Sequence, residues 1–215
     1  MAQETGYVHK FWRCHNKEYY LMPNKIKSLY HKCIENNLKK DNLNNFISIH
    51  AFCYMDNHHH ELTQYKNSSK NISNYMQRTH SDFGRIYNNL NDRSGKVAES
   101  RPKTPLIQDD EHLIQVHFYI EANPVRAKKI PVEKLKQYKY SSFRFYAFGV
   151  EDEYTKLLTI PDWYLRLGKT KLERQKKYRK LFYQYLNKQG VEPHGFLQAF
   201  IGKSDWIKIE KLRIS

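Results

Sequence analysis

The sequence predicts an α+β fold: an antiparallel sheet with helices packed on a face, followed by a helical C-terminal extension. Three observations carry that expectation. Strand-like segments at the N-terminus and within residues 46–65 alternate with segments of helical period at 24–40, 73–90 and 109–123. Only Asp56-Asn57 separates the two strand-like halves of 46–65, which is the chemistry of a hairpin turn. Beyond Gly149 the acidic Glu151-Asp152-Glu153 gives way to a basic, Tyr-rich helical stretch over 169–187. Two units are therefore expected, 1–149 and a basic helical extension over 150–215.

The elements are taken in chain order. Residues 7–21 mix aromatic and β-branched side chains with charges and read as a strand, closed by a turn at Asn16-Lys17. In 24–40, Ile26, Leu29, Tyr30, Cys33, Ile34 and Leu38 recur at helical spacing with lysines opposite. Residues 46–55 and 58–65 form the hairpin. A second helix spans 73–90, with Asn71 or Ser73 as N-cap and Tyr75, Phe83 and Tyr87 among its apolar positions. Residues 96–107 are extended, and Pro102 and Pro105 restrict them to an edge strand or a loop. Asp109-Asp110-Glu111 opens a third helix, expected to end near Asn123-Pro124. Its stripe of Leu113, Val116 and Ile120 faces a core, and Tyr119 and Asn123 stack four apart on one flank.

Composition narrows the partners. The chain has 215 residues, 37 Lys plus Arg against 22 Asp plus Glu, and a net charge of +15, which favours a polyanion: nucleic acid first, an anionic membrane surface second. Aromatic residues reach 14%, enough for core area and for stacking on bases. Cys14, Cys33 and Cys53 are odd in number and form no CxxC pair, so a reducing, cytoplasmic setting is expected and a disulfide scaffold is not. No apolar run is long enough to span a bilayer, and the N-terminus has no signal-peptide core.

The run His58-His59-His60 begins the second hairpin strand. Alternation sends His58 and His60 to one face and His59 to the other, so the outer pair makes half of a divalent metal site. Taken alone the run also fits a solvent-facing cluster or a structural zinc, although no nearby Cys or third spaced His completes a tetrahedron. Tyr119 and Asn123 alone also fit a tyrosine packed at a core edge and an asparagine ending a helix.

Together, in this order, these motifs resemble the HUH single-tyrosine transposases, most closely the REP-associated tyrosine transposases. The matching stretches are Met55-Asp56-Asn57-His58-His59-His60, the specific run Tyr119-Ile120-Glu121-Ala122-Asn123-Pro124-Val125-Arg126-Ala127, and Tyr138-Lys139-Tyr140-Ser141-Ser142-Phe143-Arg144. Tyr7-Val8-His9 through Arg13 and Tyr164-Leu165-Arg166-Leu167-Gly168 are also similar, so the likeness covers most of 7–185. It implies a ferredoxin-like or RRM-like sheet, Tyr119 as nucleophile, and His58, His60 and Asn123 as ligands of Mg²⁺ or Mn²⁺. It implies single-stranded DNA, hairpin-containing, as substrate, nicked and rejoined through a 5′-phosphotyrosine, in a bacterial, nucleoid-associated monomer or homodimer. Arg101, Lys103, Arg126 and Arg144 lie near these motifs and are the candidate DNA contacts. Where the family keeps a bulky apolar residue in the box this chain has His59; Asp56 replaces a proline and Glu61 an apolar residue. His59 and Glu61 share a face, so they are expected to pair with each other or to meet a polar layer. The competing reading is a non-catalytic binder of structured single strands on the same fold; a basic membrane-surface protein is the third.

Overall fold

The computed structural model describes residues 5–188 and 198–214. The predicted fold class is the observed one. Five strands, β1 (Gly6–Arg13), β2 (Ile47–Tyr54), β3 (His58–Tyr65), β4 (Leu106–Ile107) and β5 (Phe200–Ile201), lie in the order β2-β3-β1-β4-β5. The first four pair antiparallel; β5 joins β4 in parallel and makes the sheet mixed. The helices are α1 (Asn24–Lys39), α2 (Ser69–Leu90), α3 (Asp110–Arg126), α4 (Phe143–Phe148), α5 (Asp162–Leu165), α6 (Lys171–Lys188) and α7 (Ser204–Ile214). No helix among the described residues is long and apolar enough to cross a membrane.

The β1–β3 register sorts the side chains. Lys10 opposite Glu61 and Trp12 opposite His59 share one face, whereas Phe11 opposite His60 and Arg13 opposite His58 share the other. The first face is covered by α1 and α2: Trp12 Nε1 donates to Tyr30 Oη at 2.8 Å, and Phe83 closes on both rings. The second carries α3. Helices therefore cover both faces of the sheet.

Under α1 and α2 lies a polar layer. Glu61 is fully buried and accepts from Lys10 Nζ at 3.0 Å, Tyr75 Oη at 3.1 Å and Thr63 Oγ1 at 2.6 Å. Lys10, also fully buried, meets Tyr75 Oη at 3.1 Å. The expected polar layer exists, but its partner for Glu61 is Lys10. His59 Nε2 stands 3.9 Å from the carboxylate, too far for a hydrogen bond, and both its ring nitrogens are buried without a partner. The ring stacks on Tyr54 at 4.6 Å, so His59 serves as an aromatic wedge.

Several boundaries differ from expectation, beginning with the first strand, which ends at Arg13 and not near residue 21. The second helix starts at Ser69, because Ser68 Oγ accepts from the Lys70 amide at 3.2 Å and caps it ahead of Asn71. Of 96–107 only Leu106–Ile107 forms a ladder; single bridges join Lys103 to Phe11 of β1 and Ala98 to Cys14, just past the end of β1. Helix α3 continues through Pro124 to Arg126. Proline strips the Ile120 carbonyl of its usual donor, and Asn123 Nδ2 supplies one, at 3.2 Å from Ile120 O and 3.0 Å from Tyr119 O.

The chain beyond 149 closes over the outer side of α3. Phe182 of α6 packs on Phe143 at 4.4 Å and on Phe118 at 5.8 Å. Buried Glu121 of α3 accepts from Ser142 Oγ at 2.5 Å and from Tyr178 Oη of α6.

Removing one partner of a buried ion pair strands the other charge, so Lys10→Met should cost about 3–5 kcal/mol in urea unfolding, and adding Glu61→Leu should recover most of it. His59→Leu removes two unpartnered nitrogens at similar volume and should stabilise by about 1–2 kcal/mol in the same assay. Burial lowers the pKa of His31, of His50 to about 4 and of His80 to about 3. The unfolded chain then binds more protons than the folded one below the ordinary histidine pKa of about 6.5. The stability these residues contribute is present above that pH and lost as pH falls toward 4. Urea midpoints should drop between pH 7.5 and 5; a flat profile there would contradict this burial.

Candidate active site

The hairpin apex is built to aim His58. Met55 N donates to His58 O at 2.9 Å to close the turn. Cys14 N and Leu21 N donate to the carbonyls of Asn57 and Asp56 at 2.8 and 2.9 Å, fastening the turn to the chain that leaves β1. The Asp56 carboxylate takes Lys27 of α1 at 2.8 Å and also Lys129, three residues beyond α3.

The tautomer of the His58 ring is set by its contacts. Asn57 Nδ2 donates to Lys17 O at 3.1 Å, which turns its Oδ1 toward His58 Nδ1 at 2.6 Å. An amide oxygen only accepts, so Nδ1 carries the proton and Nε2 keeps its lone pair. His60 Nδ1 lies 2.8 Å from His9 Nε2, with the two rings stacked at 5.0 Å. That contact leaves Nε2 as the other nitrogen of His60. Burial, with the Arg13 charge behind it, lowers the His58 pKa to about 4. Burial first, then His58, pushes His60 well below the ordinary value. Both rings are therefore neutral near pH 7, the form in which imidazole binds cations.

Across from them stands α3. The Tyr119 ring meets His60 edge-on at 5.6 Å and His9 at 5.5 Å. Burial raises the Tyr119 pKa, and Arg126 and Arg13 oppose that rise. The Arg126 guanidinium sits 4.8 Å from the Tyr119 ring centre. Asn123, one turn beyond Tyr119, has its amide nitrogen committed to two helix carbonyls, so the oxygen is the end of the side chain left to meet a cation.

His58, His60, Lys103, Tyr119, Asn123 and Arg126 line one cleft of about 440 Å³. The structure thus brings together residues that the sequence separates by up to 68 positions (126 − 58). Ser100, the neighbour of Arg101, reaches the same cleft. Arg144 lies outside it, mostly buried on α4 and ion-paired with Asp152 at 2.7 Å. Sequence reasoning missed Arg13, Phe11, His9 and the orienting role of Asn57. The first three are alternate residues of β1, so their shared face was a signal available in the period-two pattern. Among the described residues no three His, Cys, Asp or Glu side chains form a metal-binding group. A cation here would rest on two imidazoles and an amide oxygen, with its other positions open to substrate oxygens.

No family model and no curated protein matches the chain. Among solved structures it is similar to a REP-associated tyrosine transposase bound to a REP hairpin, with a TM-score of 0.54 and 15% identity over 69% of this chain and 83% of that one. The chain has the fold of that transposase.

Proposed function

We propose that the protein is a metal-dependent single-stranded DNA transposase, which nicks and rejoins hairpin-containing DNA through a 5′-phosphotyrosine on Tyr119. The observation that carries this reading is the convergence of Tyr119, His58, His60 and Asn123 on one basic cleft. The fold shared with a transposase bound to a REP hairpin supports it, as does the surplus of positive charge.

His58, His60 and Asn123 would hold Mg²⁺ or Mn²⁺; the two neutral rings, the unprotonated Nε2 of His58 and the committed amide nitrogen of Asn123 fit that task. Such a cation, when bound, draws charge from the phosphate oxygens and orients them for in-line attack. The protein does the rest. The Tyr119 oxygen attacks phosphorus, the bond to the 3′-oxygen breaks, and the strand is left with a free 3′-OH and a 5′-phosphotyrosine. The new linkage is itself a phosphodiester, so a second 3′-OH reverses the step without ATP. Helix α3, held on its outer side by α4 and α6, keeps the nucleophile at a fixed height above the histidines. Lys103 and Arg126 in the cleft, with Arg101 beside it, would contact the DNA backbone, and Arg144 would meet it only at a distance from the cleft.

The wild-type protein, incubated with a single-stranded hairpin oligonucleotide and Mn²⁺ or Mg²⁺, should form a denaturant-resistant covalent adduct. Tyr119→Phe should form none while binding the oligonucleotide within about threefold of wild type. An adduct in the Phe variant overturns the assignment of the nucleophile. Tight binding by wild type with no adduct under either metal returns the protein to the non-catalytic reading.

A further inference from the structure

We propose that Arg13 binds the reacting phosphate, forming with Arg126 a two-armed cationic clamp around the phosphodiester that Tyr119 attacks; this rests on the nicking reaction proposed above. Arg13 ends β1, directly opposite His58 in the register and on the same face as His9 and Phe11. It lines the cleft that Arg126 lines from α3. Its positive charge acts on His58 and His60 on one wall and on Tyr119 on the other.

Arg13 is exposed, and its guanidinium has no ion pair among the described residues. Arg78, Arg144 and Arg166 each hold an aspartate, at Asp41, Asp152 and Asp110. Glu99 lies in the same cleft, and its amide donates to Arg13 O at 2.9 Å, yet its carboxylate does not pair with the Arg13 side chain. An uncompensated guanidinium at the rim of a site lined by a tyrosine and two neutral imidazoles calls for an oxyanion, and its planar fork matches two phosphate oxygens.

The chemistry assigns the fork a moment to act. As the Tyr119 Oη–P bond forms and the P–O3′ bond breaks, the phenolic proton goes to solvent water. The departing 3′-oxygen takes the bonding pair and a proton from water. Negative charge spreads over the non-bridging oxygens in between, and a fixed cation there lowers the barrier. Arg126 approaches from the tyrosine side, and Arg13 from the histidine side.

The test uses the full chain with Arg13→Gln and Arg13→Lys, a single-stranded hairpin oligonucleotide, Mn²⁺, and sulfur placed in turn at each non-bridging oxygen of the scissile phosphate. Arg13→Gln should slow single-turnover adduct formation by about 30-fold or more while weakening binding less than about threefold, with Lys recovering part of the rate. Sulfur at one of the two positions should slow wild type but scarcely slow Arg13→Gln, since the contact it disturbs is already gone. The slope of log affinity against log salt should fall by about one in Arg13→Gln. An unchanged rate, or the same sulfur effect in both proteins, overturns the clamp. If wild type forms no adduct, the nicking reaction fails on its own account. The salt slope then decides Arg13: a reduced slope keeps the phosphate contact, and an unchanged slope removes it.

Discussion

The register of β1 against β3 is the constraint on which the rest depends. It sets Lys10 against Glu61 on one face, and Arg13 and Phe11 against His58 and His60 on the other. A one-residue slip would exchange the faces. It would strand a carboxylate or an ammonium in a layer where both are fully buried, a penalty of several kcal/mol per uncompensated ion. The ion pair thus acts as a registration key for the sheet, and the cleft is formed on the reverse side of that key. Glu61 does not loosen the hairpin; with Lys10 it specifies how β1 and β3 meet.

The second half of the site depends on α3 being held as firmly as the sheet. Glu121 does this from the outer side, with Ser142 and Tyr178 as donors and His117 Nε2 3.3 Å away. Asn123 does it from within, by covering the carbonyl that Pro124 leaves open. One amide therefore has two tasks: its nitrogen repairs the helix and its oxygen faces the cleft. The repair fixes which end of the amide points inward, so the helix defect itself orients the candidate ligand.

Much of this is legible in the sequence, for physical reasons that differ by element. The strand 58–65 appears at its expected bounds, with the turn residues Asp56-Asn57 marking its start. The common face of His58 and His60 comes from alternation alone; their meeting with Tyr119 is expected only through the family resemblance. The reach of α3 past Pro124 is not legible, since it depends on a side chain bonding to its own helix. Ser68 does not stand out as a cap because Asn71 and Ser73 have the same chemistry a few residues on. Strand β5 is two residues long, and only its neighbour β4 gives it meaning. Same-strand proximity points to His59 as the partner of Glu61. The true partner comes from a strand 51 residues earlier, across the ladder. Arg13 is hidden for the opposite reason: an exposed arginine in a basic chain gains significance only from the groups that stand opposite it.

Asp56 stiffens its turn by charge, where a ring would do so by geometry. A proline would restrict one backbone angle and act on nothing else. The aspartate ties the hairpin apex to α1 through Lys27 and to the segment after α3 through Lys129. Three stretches remote in sequence become a single mechanical junction two residues from His58. Salt screens the partly exposed Lys129 arm of the joint more than the buried Lys27 arm, a dependence that a pyrrolidine ring would not have.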